Sequence, residues 1–236
     1  MKKKIHDRII QMRKRAGKDF NVFRKTYFGH YNKYPNADFH SEISGMLQMI
    51  SNKRGEKVAI AAPRDSAKST IVTLQYVVYS ICYGLEDFIV IASCTSKQAV
   101  SFLSNVKREL ESNERLREDF PEVCEIGKKP KPPRWSKDNI ITKNGIEVLA
   151  IGTGQDIRGR RNKDARPSLI ILDDIETSDD SWNSDTYQRK YDWVTRDVLK
   201  CGSSRTNVLL VGTIHHYNSI LAQFTGEHQH HGWHKR

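Results

Sequence analysis

The sequence has no Cys-x-x-C pair. Its four cysteines, Cys82, Cys94, Cys124 and Cys201, are scattered along the chain. That spacing argues against a thiolate metal knuckle or a disulfide framework. Cys82 and Cys94 lie in apolar segments and read as small core residues, which suits a reducing, intracellular setting. A membrane-length apolar run is also missing. The longest apolar stretch, Ile71 to Leu85, is interrupted by Gln75 and falls short of the roughly 18–20 residues that span a bilayer. No apolar core follows the basic N-terminus, so it does not read as a secretion signal. We therefore expect a soluble chain without membrane association. Acidic residues are in deficit, with 28 Asp and Glu against 39 Lys and Arg and a net charge of +11. Such a balance suits a polyanionic partner, nucleic acid or an anionic surface, although a basic protein can simply be soluble.

Two glycines are missing where the most informative stretch wants them. Ala61 to Thr70 reads APRDSAKST after its first alanine, following the apolar run Lys57–Ala62 and opening a helix-capable segment to Tyr83. Strand, tight loop and helix with Lys-Ser at the turn is the layout of a phosphate-binding loop, in which helix-start N–H groups and the helix dipole face an anion. In that pattern Lys68 reaches the outer phosphates and the Ser69 hydroxyl holds magnesium. Positions 62 and 67, glycine in the pattern, are both alanine. Ala67 must therefore avoid positive φ or sit there under strain.

The rest of the chain reads as alternating strands and helices. Residues 1–36 carry eleven Lys and Arg, with Phe20, Phe23, Tyr27 and Tyr31 at helical spacing, and are expected to form a basic helical arm, part of it packed on a body. A body follows over 37–225, and 226–236 reads as the start of a linker. Phe39 to Ile50 is a predicted helix. Ile71 to Ile81 is β-branched for a helix, but burial against a sheet overrides that propensity. Phe88 to Ser93 is a strand covered on both faces. Ala99, Phe102, Leu103, Val106 and Leu110 mark an amphipathic helix capped by Thr95 or Ser96. Lys128 to Pro133 is a stiff basic connector. Asn139 to Ile151 is a hairpin with Asn144-Gly145 in a primed turn. Ser168 to Leu172 and Asn207 to Gly212 are strands, separated by a polar loop over 177–186 and a helix marked by Tyr187, Tyr191, Val194 and Val198. The pattern predicts an α/β fold, a mostly parallel central sheet with helices on both faces. His228, His230, His231 and His234 resemble a metal cluster only loosely, with no Cys or carboxylate beside them.

In an open parallel sheet, ligands gather at the carboxyl ends of the strands. Three predicted strand ends carry matching chemistry: Lys68 and Ser69; then Asp173, Asp174 and Glu176; then Thr213 after Gly212. A carboxylate ending a buried strand suits magnesium, and a neighbouring one can orient or deprotonate water. Asp173 takes the magnesium side. The base is Glu176 or Asp174, with Glu176 narrowly preferred for its reach.

These residues resemble the ATPase domain of bacteriophage and herpesvirus-type large terminase subunits, motors that package viral DNA. APRDSAKST fits that family's deviant Walker A loop with an early arginine, here Arg64. FIVIASCTSKQA, IGTGQDIRGRRNKDARPSLIILDDIE and LLVGTIHHYNS fit its later motifs. The resemblance implies a P-loop NTPase of the RecA-like, additional-strand catalytic-glutamate type that uses ATP and Mg²⁺. It implies nucleotide contacts from Pro63, Arg64, Asp65, Ser66, Ala67, Lys68, Ser69 and Thr70, with Arg64 on the γ-phosphate. Phe39 and His40 fall on the adenine side, Asp173 is the Walker B aspartate, and Gly212 with Thr213 forms the coupling motif. Arg158, backed by Arg160 and Arg161, is the expected trans-acting arginine of a ring. Double-stranded DNA, a portal protein and a small terminase subunit are the implied partners, in the host cytoplasm. The family usually has glutamate where Asp174 stands, and it carries a nuclease domain for which this sequence has no carboxylate cluster. The chain thus reads as a motor domain alone. A helicase-type ATPase and a nucleic-acid-binding module with a vestigial loop are the competing readings.

Overall fold

Runs of aliphatic and β-branched residues build the spine of a single sheet. The computed structural model describes residues 2–31, 35–124, 132–157, 166–226 and 232–236. The strands are β1 (Lys57–Ala61), β2 (Phe88–Ser93), β3 (Arg134–Trp135), β4 (Asn139–Ile141), β5 (Glu147–Gly152), β6 (Leu169–Asp173), β7 (Asn207–Gly212) and β8 (His234–Lys235). Their spatial order is β3-β4-β5-β2-β6-β7-β1-β8. Pairing is parallel except where β3 meets β4 and β4 meets β5. The expected mostly parallel α/β sheet is what forms. Strand β7 lies between β1 and β6, as the additional-strand type requires.

Helices α1 (Lys2–Lys18), α2 (Phe20–Tyr27) and α3 (Asp38–Asn52) precede β1. A π-helical segment, Thr70–Gln75, continues as α4 (Tyr76–Tyr83). Then come α5 (Ser96–Ser112), α6 (Glu114–Asp119) and α7 (Pro121–Cys124), and, after β6, α8 (Ser184–Asp192), α9 (Leu199–Cys201) and α10 (Ile220–Thr225). The period-2 alternation of the strands divides the interior. Val58, Ile60, Ile89, Ile91, Leu169 and Ile171 face one cluster with α2 to α5. Ala59, Val90, Ala92, Ile170 and Leu172 face the other, with Trp193, Val194, Ile220 and Phe224. Among the described residues no helix is long and apolar enough to cross a membrane.

The aromatics of residues 1–36 pack on the body: Phe20, Phe23, Tyr27 and Phe28 are buried in the same core as β1 and α4. The Phe23 ring lies 5.0 Å from that of Tyr79, and Phe20 meets Tyr76 edge-on at 5.5 Å. Helical spacing of aromatics gave the helix, and burial rather than charge decides where it sits. Three expectations need correction. Within 226–236, His234–Lys235 is a strand paired with β1 rather than linker. Arg236 N donates to Ala59 O at 2.9 Å, and Trp233 packs on Phe224. The Asn144-Gly145 turn is not primed, because Gly145 alone of the pair has positive φ (87°). Thr142 and Ile146 close a three-residue connection instead, with Thr142 N donating to Ile146 O at 2.9 Å. The polar stretch 177–186 holds a 3₁₀ turn, Ser178–Trp182, and the start of α8. The basic connector lies mostly outside the described residues.

If α2 belongs to the core, Phe23→Ala should destabilise the fold by about 3–5 kcal/mol, the range for a truncated buried phenylalanine. Urea unfolding of the two proteins measures it, and a loss below about 1 kcal/mol, the scale of a surface substitution, would contradict that packing.

Candidate active site

Strand β1 ends against β7, where Ala62 N donates to Gly212 O at 3.1 Å. The chain then turns through residues 63–67 and enters the helix at Lys68. Asp65 and Ala67 both have φ of 58°, with Ser66 between them. The alanine at 67 thus occupies the left-handed conformation that a glycine adopts freely, at a cost of roughly 1–2 kcal/mol. External bonds hold the loop. His40 Nε2 lies 2.9 Å from Ser66 O, Thr213 Oγ1 donates to Ala62 O at 3.1 Å, and Ile71 N donates to Ala67 O at 2.9 Å. The ring of His40 rests against that of Phe39, centroids 4.0 Å apart.

Beyond the loop, the helix runs across to the end of β6. Ser69 Oγ donates to Asp173 Oδ1 at 2.9 Å, and Thr73 Oγ1 donates to the other oxygen, Oδ2. Asp173 is fully buried. Burial is the largest influence on it and, with Asp174 beside it, outweighs the opposing Thr73, Ser69 and Lys68, so its pKa is pushed up to about 7. Asp174 sits in the left-handed region at φ 46°. Its Oδ1 accepts from Thr213 N at 3.3 Å, and its Oδ2 is 3.9 Å from the buried Lys68 ammonium. A Cβ on Gly212 would approach Asp174 Oδ1 to 2.9 Å, so glycine there leaves the carboxylate its room.

Glu176 is engaged differently. Ile220 N donates to its Oε2 at 2.8 Å and Leu221 N to its Oε1 at 3.1 Å, so it caps the start of α10. Burial raises its pKa, opposed by those two amides and by Lys190. Lys190 ties α8 to this corner through Asp180 at 2.6 Å and Ile175 O at 3.3 Å. Arg64, Asp65, Lys68, Asp174, Glu176 and Thr213 line one cleft of about 550 Å³. Pro63, Arg64, Asp65 and Ala67 are exposed. Thr70 begins the π-helical turn.

The structure thus brings together residues from three strand ends and the start of α3. Arg158, Arg160 and Arg161 lie outside the described residues, as do His228, His230 and His231. His234 instead meets Glu56 at 2.7 Å. Among the described residues no group of three or more His, Cys, Asp or Glu is arranged to hold a metal. Thr73 was missed from the sequence. Its signal is the second hydroxyl one helical turn after Ser69, on the same helix face.

The donor set suits a phosphate with a divalent cation. Ser66 Oγ is buried in the loop with no hydrogen-bond partner among the described residues. Lys68 is buried with Asp174 Oδ2 at 3.9 Å as its carboxylate neighbour, and Ser69 and Asp173 form an oxygen pair of the kind magnesium takes. A mutant of the Thermus phage P74-26 large terminase ATPase domain superposes on the chain with a TM-score of 0.54, covering 86% of this chain and 80% of that one. The fold is the one that phage large terminase ATPase domains have. Sequence identity over that match is 13%. The HK97 bacteriophage large terminase gives a TM-score of 0.50 at 12% identity, over 81% of this chain and 36% of its own length. No protein-family profile and no curated protein matches the sequence.

Between its unfolded value of 3.8 and about 7, Asp173 keeps in the folded chain a proton that the unfolded chain has lost. Its contribution to stability therefore falls as pH rises through that window and levels off above it. Denaturation from pH 4.5 to 7.5 without metal should show Asp173→Asn gaining stability relative to wild type as pH rises. Parallel profiles would contradict the raised pKa.

Proposed function

We propose that this chain is an ATP-hydrolysing motor domain that translocates double-stranded DNA during viral genome packaging. The observation that carries the reading is the Ser69–Asp173 hydrogen bond at 2.9 Å, which joins the phosphate loop to a carboxylate 104 residues away. The fold shared with phage large terminase ATPase domains supports it. So does the net charge of +11, which suits the DNA backbone.

In this reading the N–H groups entering the helix hold the phosphates, and Lys68 neutralises the outer ones. Ser69 and Asp173 hold Mg²⁺, which when bound adds positive charge at the phosphate oxygens. Arg64, on the cleft wall, answers charge developing on the γ-phosphate. Asp174 orients the attacking water and receives its proton. The hydrogen bonds favour Asp174 over Glu176, the sequence-based preference. Both Glu176 oxygens already accept backbone amides, whereas Asp174 stands beside Lys68 with a third of its side chain exposed. Thr213, bonded to both Ala62 and Asp174, is suited to carry loss of the γ-phosphate into movement of β7. A ring of subunits around DNA, a trans-acting Arg158, and contacts with a portal protein and a small terminase subunit in the host cytoplasm complete the proposal.

Lys68→Ala should abolish phosphate release from ATP while the chain stays folded; unchanged turnover rules the reading out. Asp174→Asn should lower turnover by about two orders of magnitude or more, the scale of a lost general base, with ATP affinity within a few-fold. Glu176→Gln should mainly cost stability, about 1 kcal/mol as for a lost helix cap. The reverse pattern assigns the base to Glu176.

A further inference from the structure

A loop that presents N–H groups to an anion must turn its carbonyls outward and give them partners elsewhere. Ser66 is where this loop does so. It lies between the two left-handed residues Asp65 and Ala67, and its carbonyl meets His40 Nε2 at 2.9 Å. The imidazole is oriented from its other side. Ala37 N donates to His40 Nδ1 at 3.0 Å, so that nitrogen is an acceptor and Nε2 carries the hydrogen given to Ser66. The backbone beneath is anchored as well. Ser44 Oγ donates to His40 O at 2.7 Å and accepts from the buried Arg24 Nη1 at 2.8 Å. Arg24 in turn donates through Nε to Gln75 Oε1 at 2.7 Å, inside the π-helical segment that follows the loop.

We infer that His40 is a positioning residue that holds the phosphate loop in its left-handed shape, doing for Ala67 what a glycine would do for itself. The inference rests on the phosphate-site reading and gives His40 a role other than contact with the nucleotide base. Without the bond, Ser66 O is released and the chain at 65–67 can relax out of a conformation that L-residues disfavour. The consequence is energetic coupling between His40 and Ala67, which a base contact does not produce.

The experiment is a double-mutant cycle on the whole chain. Fluorescent analogues of ATP and GTP are titrated against wild type, His40→Ala, His40→Gln, Ala67→Gly and His40→Ala with Ala67→Gly. Thermal unfolding of each confirms that it is folded. His40→Ala should weaken both analogues equally, by up to about tenfold, the scale of one hydrogen bond. His40→Gln, whose amide can offer an N–H to the same carbonyl, should recover most of the loss. With glycine at 67 the effect of His40→Ala should shrink to about twofold or less, because the loop no longer needs holding. An equal loss in both backgrounds, or a loss confined to the ATP analogue, would overturn the inference while leaving the phosphate site intact. Wild type that binds neither analogue overturns the phosphate-site reading and this inference with it.

Discussion

The two hydroxyls that grip Asp173 tie the sheet to the loop. Ser69 and Thr73 are one helical turn apart, and each donates to one oxygen of the same buried carboxylate. A lone carboxylate at that depth would be costly, and the hydroxyls meet part of its demand for donors. In doing so they fix the helix that follows β1 across the intervening β7 and onto the end of β6. Lys68 is thereby delivered within 3.9 Å of Asp174, and Thr213 at the end of β7 is caught between the loop and Asp174. The chemistry of three strands is gathered because one carboxylate is shared.

Backbone strain collects at the same place. Among the described residues, the non-glycine positions with positive φ are Asp65, Ala67 and Asp174, and all three border the cleft or form its loop. Such conformations last only where surrounding bonds over-determine them. Here the bonds are the His40 contact, the β1–β7 pairing carried on by Ala62, and the amide contacts of Asp174. The aromatic core around Phe20, Phe23, Tyr76 and Tyr79 stabilises α2 and α4 behind them. Rigid packing on that face keeps the loop's supports in register.

Much of this was legible in the sequence. Strands β2 and β7 are near-continuous apolar runs, and each forms with the limits read from the pattern. The grouping of Lys68, Ser69, Asp173 and Thr213 followed from the rule that strand ends in parallel sheets share a ligand edge. Other features depend on tertiary contacts and leave little local trace. β8 is two residues long and exists because β1 offers it an open edge. The two amides at the start of α10 that bond both Glu176 oxygens come from 44 and 45 residues further along the chain. The loop looked broken for want of glycine because its compensation lies 27 residues upstream, in His40, where no phosphate-loop pattern looks.

Calorimetric titration of the purified chain with ATP, with Mg²⁺ present and then chelated, tests the central claim most directly. The account predicts one ATP per chain, bound with Mg²⁺ and weakened at least tenfold without it. ATP that fails to bind the folded chain with Mg²⁺ present, or binds equally well without it, would contradict the assignment of this cleft.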